Sequence, residues 1–159
     1  MKFQDLVHKD AIRPELDATE RNAVIRELIQ AIVDTGGLPA AQAESVAKSI
    51  IARERTRGTT GIGKGVAAPH AKVEGLEKVV TAVGRSGPGI DFSSLDGGPV
   101  HAVFLVLSPV DKPEEHLAAM DFIFRHLSRE RFRKFLRQAP DADAILDLLR
   151  EADEKTMVS

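Results

Sequence analysis

The sequence predicts an α/β fold, a mixed β-sheet of about five strands sandwiched by α-helices, in a single domain over residues 1–159. Three observations carry this. Segments with a helical period occupy both ends of the chain, and between them the period shifts to that of strands. One of those strands, Val103-Phe-Leu-Val-Leu107, is apolar at every position, which marks a strand covered on both faces. A chain of 159 residues also suits one core, able to remove about two-thirds of its unfolded surface from water.

Residues 1–16 show no sustained period and contain Pro14, so they read as a short strand or arm against the body. From Asp17 the pattern is helical. Asp17-Ala-Thr-Glu20 fits a capping box, and Ile25, Leu28, Ile29 and Ile32 share one face before Gly36-Gly37 stops the helix. A second helix begins near Pro39 and repeats Ala43, Val46, Ala47 and Ile50 at the same spacing through Glu54. Val66-Ala-Ala68 is a short buried strand ending at Pro69, and Val79–Val83 is a β-branched strand ended by the turn Ser86-Gly-Pro-Gly89. After the turn cluster of residues 93–99 comes the apolar central strand. A loop between Pro109 and Pro113 leads to a helix opened by Glu114-Glu115, with Leu117, Met120, Phe124 and Leu127 as its core stripe and His116 near its first turn. Two shorter helices, around Phe132, Phe135 and Leu136 and around Ile145, Leu148, Leu149 and Ala152, close the chain.

Composition removes several classes of function. A formal charge of −2 gives no global basic field for nucleic acid, and no apolar run approaches the ~20 residues that span a bilayer. The absence of cysteine removes disulfides, thiolate nucleophiles and thiolate metal sites. The first residues, Met-Lys-Phe-Gln-Asp, carry no secretory h-region, so the expected compartment is the cytoplasm.

The stretch from Gly58 to Lys72 concentrates the chemistry. Its glycines let the backbone take positive φ and let another molecule come close, and Pro69 fixes the path on which His70 leaves the buried run. Gly58-x4-Gly63-Lys64 reproduces most of a phosphate-binding loop but ends in Gly65, lacking the hydroxyl that would hold magnesium, and the order of helix and strand is inverted. Histidines at 8, 70, 101, 116 and 126 show no zinc-type spacing. The run Arg125–Arg137 holds six basic residues against one acid; it reads either as a nucleic-acid surface or as the solvated face of helices whose phenylalanines point inward. No Gly-x-Ser-x-Gly elbow is present. For His70 two readings stand side by side: a hydrogen-bonded structural histidine, and a nucleophile that carries a group on one ring nitrogen while the other is oriented by a hydrogen bond.

Gly61-Ile-Gly-Lys-Gly-Val-Ala-Ala-Pro-His70 resembles the active-site motif of the enzyme IIA domains of the fructose and mannitol class in the bacterial phosphoenolpyruvate-dependent sugar phosphotransferase system, which includes the nitrogen-regulatory IIA protein. The resemblance extends over nearly the whole chain, through Asp96-Gly-Gly-Pro-Val100, the apolar strand ending Leu107-Ser-Pro, and Glu115-His116-Leu117. It implies a phosphocarrier whose His70 takes a phosphoryl group from the histidine-containing phosphocarrier protein and hands it to a IIB domain or a regulated protein, with no metal or cofactor. His116 is then the second active-site histidine, expected to face His70 across a shallow cleft and to donate a hydrogen bond to the phosphoryl oxygens. Arg53, Thr60 and Lys64 are the residues assigned to support that group.

Three positions depart from the family pattern. Ala71 stands where the family has glycine, and Lys64 where asparagine is common. The family's arginine before the glycine segment aligns without gaps to Glu54, and one inserted residue restores Arg53. A second function remains open beside the phosphocarrier: a regulatory module that docks another protein, with phosphorylation as a switch or lost. The chain holds no IIB-like cysteine motif and no membrane span, so a transport role needs separate proteins. Asp111, Glu114 and Glu115 are the local candidates for docking a basic partner face.

Overall fold

A six-stranded mixed sheet is built around its last strand, β6 (Val100–Pro109), all ten residues of which are buried. The computed structural model describes residues 1–158, with side chains through residue 155. The strand order is β1 (Val7–Arg13), β5 (Val80–Ile90), β6, β3 (Val66–Ala67) and β2 (Gly61–Gly63), and β4 (His70–Val73) also pairs with β6. β5 runs antiparallel to β6, whereas β3 and β4 run parallel to it along its other edge. Val66 pairs with Ala102, Ala67 with Val103 and His70 with Val106, so the register holds across the break at Ala68-Pro69. His70 therefore opens a further stretch of strand pairing, rather than leaving the sheet as expected. The Pro69 carbonyl accepts from Val106 N (2.9 Å), which needs no amide proton from the proline.

Helices cover both faces. The period of two divides β6 although both sides are apolar: Ala102, Phe104 and Val106 pack on one side, and Val103, Leu105 and Leu107 on the other. The second side belongs to α2 (Arg21–Asp34) and α3 (Ala43–Thr56), the helical hairpin expected from the sequence. Val24, Ile25, Leu28, Ile29 and Ile32 of α2 are fully buried, each worth about 1.5–3 kcal/mol of transfer free energy. The first side belongs to α1 (Phe3–Leu6), α4 (Pro113–Leu127), α5 (Glu130–Gln138) and α6 (Ala142–Val158). The α1 amides of Phe3 and Gln4 donate to the buried Asp153 carboxylate of α6 at 2.6 and 3.1 Å, which ties the start of the chain to its last helix.

The short strand expected within residues 1–16 is β1, preceded by the helical turn α1. Four other local expectations are corrected. The N-cap of α2 is Glu20, whose carboxylate accepts from Ala23 N at 2.8 Å, while Asp17 N and Ala18 N donate to Glu27. Ser86–Gly89 does not end the strand: β5 runs on to Ile90, and these residues form an irregular bulge, with Arg85 facing Ala102 and Ile90 facing Val100. In α4 the buried stripe is His116, Ala119, Met120, Ile123 and Leu127, and Leu117 is exposed, because Glu114 and Glu115 fix the solvent side of the first turn. Phe135 of α5 is exposed as well, whereas Phe132 and Leu136 are buried.

Candidate active site

Two residues of β6 bring the two histidines together. Val106 holds His70 in register on β4, and the buried Ser108, two residues on and on the same side of the strand, hydrogen-bonds the ring of His116 from α4. The imidazole centroids of His70 and His116 lie 5.4 Å apart, with the rings tilted by 46°. They share a cleft of about 450 Å³ with Arg53, in the last turn of α3, and Arg57, the C-cap of that helix, and with Lys72, which follows His70 on the same side of β4. His70 is half-buried and His116 is 8% exposed, so the pair has one foot in the core and one in solvent.

Hydrogen bonds select the reactive atoms. His70 Nδ1 lies 2.9 Å from the Ala68 carbonyl oxygen, which can only accept, so Nδ1 carries the proton and Nε2 keeps its lone pair. Burial pushes His70 below the ordinary imidazole value; the Ala68 hydrogen bond opposes this and the charge of Arg53 adds to it. His116 is held low by burial, then by His70, whose protonation opposes its own, and by the cations Lys72 and Arg53. Both rings are therefore neutral at pH 7. An uncharged nitrogen nucleophile beside several cations is an arrangement that can take up and hold a phosphoryl group.

The cleft gathers His70, His116 and Arg53 and does not gather Thr60 or Lys64. The Thr60 amide donates to the Glu54 carboxylate at 3.0 Å and its hydroxyl donates to the same group, so Thr60 is committed to closing the segment after α3. Glu54, 3% exposed, is the buried partner in that closure, and Arg53, one residue earlier, faces the cleft. Lys64 sits at the tip of the β2–β3 hairpin with φ of 59°, its amide donating to Asp96 at 2.9 Å, and lines a different cleft. Ala71 lies within β4 outside the positive-φ region, so alanine fits there without backbone strain. Sequence reasoning missed Arg57, Lys72 and Ser108; the i, i+4 spacing from Arg53 and the i, i+2 spacing from His70 were the available signals for the first two.

Comparison with known proteins decides the family. A family model described as "Phosphoenolpyruvate-dependent sugar phosphotransferase system, EIIA 2" matches residues 5–152. The chain belongs to this family. It is 35% identical over 154 residues to the fructose-specific EIIABC component of the phosphotransferase system from Bacillus subtilis, a match that spans 97% of this chain but only 24% of that protein. It is 36% identical over 149 residues to a nitrogen regulatory protein from Bradyrhizobium diazoefficiens, covering 94% of this chain and 95% of that one. The fold is also that of the nitrogen regulatory protein IIA-Ntr from Neisseria meningitidis, with a TM-score of 0.81 at 24% identity over 92% of this chain and 98% of that chain. The family thus joins sugar phosphotransferase components and nitrogen regulatory proteins on one architecture. Among the described residues no helix is long and apolar enough to cross a membrane.

Proposed function

We propose that this protein is a cytoplasmic phosphohistidine carrier of the phosphotransferase system. His70 accepts a phosphoryl group from the histidine-containing phosphocarrier protein and passes it to a IIB domain. The observation that carries this reading is the His70 ring itself: Nδ1 tied to the Ala68 carbonyl, Nε2 free and unprotonated, and His116 at 5.4 Å. In the transfer the Nε2 lone pair attacks phosphorus as the bond from phosphorus to the donor nitrogen breaks, and the donor keeps that electron pair. The positive charge that develops on the His70 ring is shared with the Ala68 carbonyl through Nδ1–H. Arg53, Arg57, Lys72 and the Nε2–H of His116 offset the charge of the phosphoryl oxygens, so alignment and electrostatics supply the catalysis without a metal or cofactor.

The test is incubation with phosphoenolpyruvate and the general phosphotransferase proteins, followed by intact mass. The wild type gains one phosphoryl group that is lost in acid and kept in base, and the His70→Ala protein gains none. Labelling of His70→Ala to the same extent would overturn the assignment.

A second reading, in which phosphorylation of His70 switches the docking of a regulated protein, is favoured by the end-to-end match to a nitrogen regulatory protein. The two readings share the phosphorylation step. They separate on whether the phosphoryl group moves on to a IIB acceptor or stays while the affinity for a protein changes.

A further inference from the structure

The geometry points to a second anion site on this protein, distinct from the histidine cleft, which takes a small phosphate ester carrying hydroxyl groups. The site is a cleft of about 660 Å³ between the tip of the β2–β3 hairpin and α5, well within the range of small-molecule pockets. Lys64, Arg85, Arg133, Lys134 and Arg137 line it, against the single carboxylate of Glu130, in a chain whose formal charge is −2. Arg85 is tied to the Pro14 and Arg137 carbonyls and lies 3.6 Å from Glu15. The other four cations form no ion pair among the described residues, although Arg133 also donates one hydrogen bond to the Leu127 carbonyl. This is where the basic run of the sequence goes: Arg133, Lys134 and Arg137 share the side of α5 that turns away from Phe132 and Leu136.

A histidine beneath these cations distinguishes the cleft from a merely charged surface. His101 is 7% exposed and lines the same cleft. Its Nδ1 lies 3.0 Å from the Ser86 carbonyl oxygen, which only accepts, so the neutral ring keeps its lone pair on Nε2. Nε2 has no hydrogen-bond partner among the described residues and is not sealed from solvent, so it is open to accept from a group that enters the cleft. A ligand that uses the whole lining joins two features: an anionic group for the lysine and arginine side chains and a hydroxyl to donate to His101. A sugar phosphate has both.

The cleft is separate from the phosphoryl-transfer site. His101 and Ser108 stand seven residues apart on β6, about 23 Å along an extended strand. The two sites are nevertheless joined by chain, because Lys64 and Gly65 at the hairpin tip lead through β3 directly into His70.

Ribose 5-phosphate, inorganic phosphate and ribose are the probes, with binding followed by titration of backbone amide and imidazole resonances. Ribose 5-phosphate saturates with an affinity in the range of about 1 mM or tighter and moves the signals of Gly65 and His101, inorganic phosphate binds more weakly, and ribose does not bind. Lys134→Ala and Arg137→Ala, both at exposed positions, each weaken ribose 5-phosphate by about tenfold, as expected for loss of a charge-assisted hydrogen bond. His101→Gln removes the preference for ribose 5-phosphate over phosphate. Binding persists in the His70→Ala protein, so the result stands apart from the phosphocarrier reading. The proposal is overturned if no probe saturates, if the alanine variants bind as well as the wild type, or if only a single-stranded oligonucleotide binds through the whole basic face.

Discussion

Ser108 Oγ and His116 Nδ1 lie 2.7 Å apart, in a place where Ser108 is fully buried and its hydroxyl has no other partner among the described residues. A buried hydroxyl proton needs an acceptor, and among the described residues the only one within reach is Nδ1. The neutral His116 ring then carries its proton on Nε2, the nitrogen left to face His70. Ser108 thereby sets the tautomer that would make His116 a donor to a phosphoryl group on His70, as the proposed mechanism requires. Ser108→Ala should let His116 populate both tautomers and slow phosphoryl transfer by about tenfold or more, as loss of an orienting partner does elsewhere. Imidazole nitrogen spectra of His116 read the tautomer directly. An unchanged tautomer in the variant would remove Ser108 from the mechanism.

Arg53 acts on His70 through charge. Because the guanidinium disfavours the imidazolium, Arg53→Met should raise the His70 value toward its ordinary position. Arg53 is solvent-exposed, so the rise should be small and should shrink further as salt is added. Histidine titration by NMR at low and high salt checks both statements. Labelling should slow by about tenfold, since one cation facing the phosphoryl oxygens is lost while Arg57 and Lys72 remain.

How far the site was legible in the sequence is shown by Arg53 and Glu54. Gapless alignment put the acid in the arginine's place, and only the fold shows why both are there: Glu54 turns inward to hold Thr60 while its neighbour faces His70. Helical and strand periods were enough for α2, α3 and β6 because each buries a whole stripe or a whole run. They failed where the backbone is irregular. Ser86–Gly89 has the composition of a turn, yet the pairing of Ile90 with Val100 draws it into the sheet as a bulge. Thr60 and Lys64 belong to the same glycine-rich stretch as His70, but the β2–β3 hairpin carries Lys64 away from the histidine, a reversal that no local pattern announces. Ser108 was invisible for a different reason, since a serine in a buried strand becomes informative only when its partner is known.

Three histidines held below their ordinary value link stability to pH. His70, His116 and His126 are each held below the ordinary value of 6.5, with burial the largest cause in every case. Above that value both folded and unfolded imidazoles are neutral. As the pH falls below it the unfolded chain binds protons first, so stability declines until the folded rings also protonate. Urea unfolding should show a falling midpoint between about pH 7.5 and pH 5.5. His126 is 2% exposed, with Nδ1 unpaired and the rings of Phe3, Phe122 and Phe132 within 5.6 Å of its centroid. His126→Phe suits that surround and removes one titrating group, so its decline should be shallower; an equal slope would show that His126 does not contribute.

Two signs of charge stand near His116, one in the cleft and one just before it in the chain. Cations line the interior, while Asp111, Glu114 and Glu115 stand exposed beside the exposed Val110 and Leu117 at the start of α4. Apolar and acidic groups together suit a partner with a basic docking face around an apolar centre. Glu114→Lys with Glu115→Lys should slow phosphorylation by the donor protein by about tenfold at low salt and flatten its salt dependence. The same change also removes favourable charges from the first turn of α4, at a cost of about 1 kcal/mol. Unchanged rates at low salt would move the docking surface elsewhere.

His116 and His70 should separate cleanly when each is removed. In the proposed mechanism His70 supplies the nucleophile, so its loss should end phosphoryl uptake. His116 supplies a donor that matters most when negative charge builds on the phosphoryl oxygens, and its removal leaves Nε2 of His70 and the cations of Arg53, Arg57 and Lys72 in place. His116→Ala should therefore slow transfer by about 10²–10³-fold, the loss seen when one oxyanion donor is deleted, and still give slow, acid-labile labelling at His70. It should also raise the His70 value, because a smaller side chain at 116 relieves part of the burial that holds it low, which an NMR titration of the His70 ring measures. Rapid mixing with phosphorylated donor protein separates the two variants on one time course: a flat line for His70→Ala and a slow rise to full labelling for His116→Ala. A flat line for both would make His116 the acceptor's equal rather than its helper. A wild-type rate for His116→Ala would leave the 5.4 Å pairing without a role in transfer.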